Sequence, residues 1–597
     1  MKRVFQHPTE PATGRKYWRS LGQLNDTPEF RGWLEREFPQ GAAELQGGDV
    51  TRRNFLKLMG ASTALAGLSL SACRRPEKHL VPFTRGVEWA IPGKALFFAT
   101  SMPSRRGAQP LVITTYDGRP TKIEGNPLHP VSGGATDTWA QSSILDLYDP
   151  DRSRFFWHMP RGGQPGKVKE ADFTKWLDEA LAGAGDGAGL AFLLEADQSP
   201  TRERLRLEIE KKFPKAIWSV YEPLAATDST AIYGEGVVPT PNIAEADVIM
   251  ALDCDFLGVD GFLPETRQFS ARRRVEGPDA RMNRLYVVEN RYTITGAMAD
   301  HRMRLPASQI GSFLSALAKE VGGAGAGAEA TGLQPLTAPV APEWIREAAA
   351  DLVAAKGKAL VLVGPRQPAA VQALAANINS TLGGLGATLQ GRRGVRAGVP
   401  IQKLVEAITG KTVKTLFVIG GNPVYNAPAD LNWAQLQGGV ENVVRVGFHE
   451  DETTKLATWH VPATHYLESW GDGRAADGSY TAVQPMIMPL FGGWSELDLL
   501  AKLAGRPKPQ GPELVQETFR ELLKPADFPA AWTKFLHDGF QAESATKPEP
   551  LAISGGAAAA GTPAAPAPAA GADTFEVVLA PDTRVDDGRY ANNGWLQ

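Results

Sequence analysis

Thiolates carry the redox and metal chemistry most easily read from spacing, and the 597-residue chain has only two cysteines, Cys73 and Cys254. An iron–sulfur cluster takes about four thiolates and a c-type haem needs Cys-x-x-Cys-His, so neither can be built here. No intrachain disulfide is expected. Cys254 lies in the apolar strand-like run ADVIMALDCDFLG, where a small buried hydrophobe is its expected role. His449, Glu450, Asp451 and Glu452 gather four metal-capable side chains. Adjacent residues on one loop rarely converge on one ion, so a solvated loop is expected. His460 and His465 flank Pro462 at a spacing of five; on an extended segment this points them to opposite faces, against a shared metal. The run RQFSARRRVEG, residues 267–277, reads as a solvated helix face, with docking to an acidic partner surface as the alternative. No recognisable motif surrounds a Ser-His-Asp or Cys-His set, and no Gly-x-Gly-x-x-Gly follows a strand-like run.

The elements that must position these residues follow from hydrophobic period. ALFFAT and PLVITTYDGRPTKIEGNP alternate as short strands, with Asp117-Gly118 marking a hairpin. FTKWLDEALAGA and TRERLRLEIEKKF have helical spacing. LAFLLEA, ADVIMALDC, RLYVVEN, ALVLVG, TLFVIGG and NVVRVGF are six buried-strand runs separated by helix-length segments, the pattern of doubly wound α/β domains with parallel sheets. The resulting division is a leader at 1–50, a signal-like segment at 51–73, a β-rich part at 74–159 and α/β domains at 160–320 and 343–543. Linkers fall at 321–342 and at 544–572, the latter Ala/Pro/Gly-rich. Residues 573–597 become foldable again, as the start of a C-terminal β part that is missing or only begun. They stop before making a domain, so something is expected to follow or pack there.

Within 51–73, TRRNFLKLMGASTALAGLSLSAC, Arg52 and Arg53 precede a short apolar region, the grammar of an export signal. The twin arginine resembles the Tat motif, and Leu70 to Cys73 resemble a lipobox whose cysteine is acylated. Cleavage there would leave a chain anchored at Cys73, and one acyl group binds membranes only marginally without further chains or a protein partner. No run reaches the roughly 18 to 20 apolar residues of a spanning helix. A net charge of -3 offers no general basic surface for nucleic acid.

Residues 112–152 carry a family resemblance. A hairpin leads to Gly125, Asn126 and Pro127, then His129-Pro130, Gly133-Gly134 and the run Leu-Tyr-Asp-Pro-Asp-Arg from Leu147 to Arg152. This order resembles the early part of the large molybdopterin oxidoreductases. ADVIMALDCDFLG, FVIGGNPVYNAPAD and residues 451–490 extend the likeness over roughly 90–500. The departures matter as much, because the four cysteines that catalytic members carry before the hairpin are absent from residues 74–111. No cysteine between 74 and 253 offers a molybdenum ligand, which leaves a Ser or Asp ligand open.

With the long leader and the Tat-like motif, the chain resembles the molybdopterin-oxidoreductase-like part of the large iron–sulfur subunit of bacterial alternative complex III. The resemblance implies a scaffold without its own cofactor on the periplasmic face of a quinol-oxidising respiratory complex. It implies iron–sulfur clusters and haem c in partner chains: a ferredoxin-like iron–sulfur subunit, multi-haem cytochrome c subunits and a polytopic quinol-oxidising membrane subunit. In catalytic relatives, loops such as Gly125–Pro127 and Gly421-Asn422-Pro423 approach the pterin; here both are expected to be turns that keep the shape without ligand. Two other functions fit the residues. One is an active molybdenum oxidoreductase with a non-cysteine ligand, and the other a free-standing periplasmic ligand-binding lipoprotein.

Overall fold

The computed structural model describes residues 91–597 apart from 225–228, 235, 323–335, 395, 397, 510 and 554–574, together with a few positions between 25 and 29. The leader, Arg52, Arg53 and Cys73, and most of both linkers, lie outside the described residues. The architecture below belongs to the unit Val87–Gln597.

The chain opens with a three-stranded antiparallel sheet, Leu96–Met102, Gln109–Tyr116 and Arg119–Gly125. Its second hairpin turns at Asp117 and Gly118, both at positive φ, 52° and 77°, as the Asp-Gly pair predicts. Helix Thr138–Leu147 is started by Asp137, whose carboxylate accepts from Ala140 N at 2.8 Å. It lays Ala140, Ile144 and Leu147 on Leu111, Ile113 and Ile123 of the sheet.

All six buried runs become parallel strands, because residues covered on both faces need helices on both sides. The larger sheet has seven strands in the order Gly166–Val168, Phe156–His158, Trp459–Pro462, Asn442–Gly447, Thr415–Ile419, Leu190–Leu194, Ile217–Val220. The first two run antiparallel and the last five are parallel. Phe192 stacks between Trp218 and Phe417, with ring centroids 4.1 Å and 5.0 Å away, in the centre of its core. The second sheet is wholly parallel: His301–Arg304, Arg284–Glu289, Val248–Leu252, Ala359–Val363.

These sheets do not follow the boundaries drawn at 320 and 343. Ala359–Val363 pairs with Val248–Leu252, and Thr415–Ile419 pairs with Leu190–Leu194, so the smaller sheet is inserted into the larger. Pro, Gly and Ala mark where a connection runs, whereas strand partners are chosen by which faces each must bury. Residues 575–597, expected to begin a β part, contain no strand. They are an extended stretch followed by turns from Asp582 to Leu596, as their Asp, Asn and Gly content favours. No described helix is long and apolar enough to cross a membrane.

Candidate functional site

In the larger sheet the chain runs from Leu190–Leu194 outward to Ile217–Val220, then returns on the other side through Thr415–Ile419. The crevice beyond the carboxyl ends of these adjacent strands is the switch point, where a doubly wound sheet binds its ligand. Leu193, Leu194, Glu195, Tyr221, Pro223, Gly420 to Pro423 and Asn426 line it, and the cavity among them is only about 10 Å³. That is scarcely room for one water, whereas a small-molecule pocket takes about 300 Å³ or more.

Protein carboxylates stand where a ligand would. Gly420 and Gly421 have φ of 68° and 62°, and a Cβ at Gly420 would lie 2.3 Å from Glu195 Oε2. The glycine pair therefore admits the Glu195 side chain. Asn422 turns away, donating to Glu452 at 2.7 Å and accepting from Thr453 Oγ1 at 2.6 Å. Helix Pro200–Lys212, whose first amides would suit a phosphate, has Asp472 at its N-terminus instead. That carboxylate accepts from Ser199 Oγ, Thr201 N, Thr201 Oγ1 and Tyr480 Oη. The smaller sheet repeats the device: Arg366 closes on Asp260 with two bonds of 2.7 Å and donates to the Asp253 carbonyl.

The crevice is capped by the segment Asp582–Leu596. Arg589 Nη2 bonds Glu222 at 2.7 Å and Asp587 at 2.9 Å, Nε bonds Asp587 at 2.9 Å, and Nη1 lies 3.3 Å from Glu195. Arg105 reaches the same group, gripping Asp586 with both Nη atoms at 2.8 Å. Burial pushes the Glu222 carboxyl up, against the pull of Arg589, and pushes Glu496, next to Arg202, up to about 7. Farther along, Tyr590 stacks on Trp139, Asn592 donates to Asp149, and Asn593 donates to Asp146 and to the Ser142 carbonyl.

The residues singled out in sequence mostly part company. His449 bonds Asp149 at 2.8 Å, Glu450 accepts from Trp157, and Asp451 pairs with Arg445 while capping helix Glu452–Lys455. The expected solvated loop is thus a set of separate contacts. His460 is fully buried between Ser153 and Thr454, and His465 is held by Leu467 N. Burial lowers both imidazoles to about 3. Gly125–Pro127 is not part of the crevice lining. Asn126 is buried there, bonding the Asp538 carbonyl at 2.7 Å, and a Cβ on Gly125 would lie 2.1 Å from Ala135 O. The 267–277 arginines bind within the chain: Arg267 to the Pro130 carbonyl, Arg272 to Asp247, Arg273 to Asp300. The Cys254 thiol, free and packed beside Phe256, is pushed well up by burial. Glu195, Glu222, Asp472, Arg105 and Arg589 were not foreseen; the acid directly after the LAFLL strand was the one visible signal. No group of three or more His, Cys, Asp or Glu able to hold a metal ion occurs among the described residues.

A pterin cofactor of this fold family brings anionic phosphate and needs a deep crevice. The residues present do not fit it: the crevice is acidic, small and bridged by a guanidinium. No family model matches the chain. It is 25% identical over 528 residues, 80% of this chain and 74% of the relative, to the menaquinone reductase molybdopterin-binding-like subunit of Nitratidesulfovibrio vulgaris. Among solved structures it resembles acetylene hydratase from Pelobacter acetylenicus, with a TM-score of 0.52 and 14% identity over 68% of this chain and 67% of that one. The chain therefore has the molybdopterin-oxidoreductase fold and is similar, over most of its length, to a molybdopterin-binding-like subunit of a menaquinone reductase.

Proposed function

We propose that the chain is a non-catalytic, molybdopterin-oxidoreductase-like scaffold subunit of a quinone-linked respiratory complex, of the alternative complex III type. The observation that carries this reading is the switch-point crevice, where the Glu195 side chain lies against Gly420 and Arg589 bridges Glu195 and Glu222 across the opening. The similarity to a subunit of a menaquinone reductase supports a place beside quinone chemistry. Electron transfer then belongs to partner chains: a ferredoxin-like iron–sulfur subunit, multi-haem cytochrome c subunits and a polytopic quinol-oxidising membrane subunit. The scaffold covers the cluster-bearing partner, and excluding water from a cluster tunes its potential. The Tat-like Arg52-Arg53 and the lipobox-like Leu70 to Cys73 support a peripheral place for this work on the periplasmic face of the inner membrane, with Cys73 as the candidate site of a lipid anchor.

Metal analysis and pterin extraction on the chain purified from membranes test this. The expected result is no molybdenum, no tungsten and no pterin, with haem-bearing and multi-span proteins co-purifying. Stoichiometric pterin would overturn the reading, as would release from the membrane without such partners.

A further inference from the structure

The segment Asp582–Leu596 touches the body in an unusual way. Among the described residues its backbone–backbone hydrogen bonds all close on itself: Asp582 with Asp586 in both directions, Gly588 and Tyr590 to Val585, Ala591 to Gly588, Asn593 to Tyr590 and Leu596 to Asn593. It shares no strand ladder with the sheets among the described residues. What binds it is side-chain contact: the Arg589 and Arg105 ion pairs, the Trp139–Tyr590 stack, and bonds through Trp139, Asn592 and Asn593. It is reached through the Ala/Pro/Gly sequence between 554 and 572, which has no core-forming side chains.

A self-closed turn unit held by side chains is a docked peptide that happens to be covalently attached. The body side of its seat is complete without it. Glu195 and Glu222 stand at the ends of adjacent strands, Glu222 is fixed by Ala196 N at 2.9 Å, and Arg105 approaches from the loop between the first two strands. Taking Arg589 away leaves Glu195 and Glu222 at a partly buried edge with Arg105, 3.7 Å from Glu222, set against the two of them, and the surplus negative charge favours a guanidinium over a neutral or anionic occupant. Gly588, at φ 100°, brings the turn within 3.0 Å of the Tyr425 ring edge, measured from where a Cβ would stand, so only a glycine-containing turn seats the arginine this closely.

We propose that the switch-point crevice is a binding site for a peptide guanidinium. The Asp-Asp-Gly-Arg turn, Asp586 to Arg589, is its resident ligand, a strap able to leave and return while both sheets stay folded. This rests on the crevice being closed to a pterin cofactor; a bound pterin would defeat that reading, whereas the following outcomes bear on the strap alone.

A single protease site is placed in the full chain between residues 554 and 572, and the cut protein is run on a sizing column. The fragment downstream of the cut is expected to stay bound at about 0.05 M NaCl and to leave at about 1 M, where the screening length falls to about 3 Å. Hydrogen exchange in Leu190–Leu194 and Thr415–Ile419 should be unchanged by its departure. A synthetic peptide of residues 582–597 should rebind. R589Q peptide should bind more than about tenfold more weakly, and R589K should fall between, keeping the charge without the fork. Equal binding by the R589Q peptide, retention of the fragment in 1 M salt, or loss of strand protection on release would each overturn the proposal.

Discussion

The ion pair between Arg152 and Glu468 gives the sharpest test of how this chain uses its family-like motifs. Arg152 ends the Leu147–Arg152 run, and Glu468 lies in the 451–490 stretch, so the pair joins two of the segments that carry the resemblance. Both side chains are buried, at 1% and 0% exposure. The guanidinium meets the carboxylate with two bonds of 3.0 Å and 2.5 Å, donates to the Leu147 carbonyl at 2.8 Å, and lies 4.6 Å from the Phe448 ring centroid and 5.2 Å from that of Phe491. Glu468 also accepts from His465 N and Leu490 N, both at 2.9 Å. Replacing Glu468→Gln leaves a guanidinium without counter-charge in the core, and should destabilise by about 3–5 kcal/mol. R152M should cost a similar amount at neutral pH. The double variant R152M/E468Q buries no unpaired charge and should lose only about 1–2 kcal/mol, chiefly hydrogen bonds. Urea titration followed by tryptophan fluorescence measures all three, and the coupling should exceed about 3 kcal/mol. Additive losses, or a change under about 1 kcal/mol for E468Q, would refute the view that these motif residues are kept together as a buried structural pair.

Further expectations concern pH, the glycine edge and the free thiol. His460 and His465 have folded values near 3, below the unfolded value of about 6.5, so each weakens the fold as pH falls from 6.5 toward 3. At pH 5 that amounts to about 2 kcal/mol per histidine, and H460Q should remove one proton from the pH slope of unfolding. Glu496 acts oppositely: its folded value of about 7 lies above the unfolded one, so E496Q should stabilise most above pH 7 and least near pH 4.5, read by thermal unfolding across that range. Gly420→Ala meets both a positive φ and Glu195, and should cost about 1–3 kcal/mol while loosening the strap in hydrogen exchange. In a Cys73→Ser background, Cys254 should react with a thiol reagent faster in denaturant than in the native chain, where it is half-buried against the core; equal rates would contradict that packing.

Much of the fold was legible because the signals were local. Six largely apolar runs became six parallel strands, since four or more apolar residues in a run of five or six leave both faces of the strand to be buried, and even Arg445 within one of them is drawn inside. Asp117-Gly118 specified its hairpin through positive φ alone. Which strands pair was not legible, because Thr415–Ile419 joins Leu190–Leu194 across more than two hundred residues and no local period encodes that choice. The site was harder still. Gly421-Asn422-Pro423 was correctly placed after a strand, but its meaning depends on Glu195, which arrives from a different strand, and on Arg589, in a segment whose turns have no hydrophobic period.

If the crevice holds no ligand, as proposed, its chemistry explains how the frame persists. A parallel sheet presents backbone amides and helix starts at its carboxyl edge, and buried polar groups must be satisfied by something. Here the chain supplies its own anions, with Asp472 on the start of helix Pro200–Lys212 and Glu222 on Ala196 N. The loop after Thr415–Ile419 forms only the one-turn helix Pro423–Asn426, too short to build a useful dipole, and the guanidinium beside it, Arg445, is taken up by Asp451 and the Gly420 carbonyl. Carboxylates brought to one edge then repel, and that excess is neutralised by Arg589 from the strap and by Arg105 from the loop between the first two strands. Each substitution makes the next necessary, so a return to anion binding would need several acids and the strap changed together. A single substitution such as E195Q should therefore weaken strap binding without creating any affinity for phosphate, and measurable phosphate binding by E195Q alone would break this chain of reasoning.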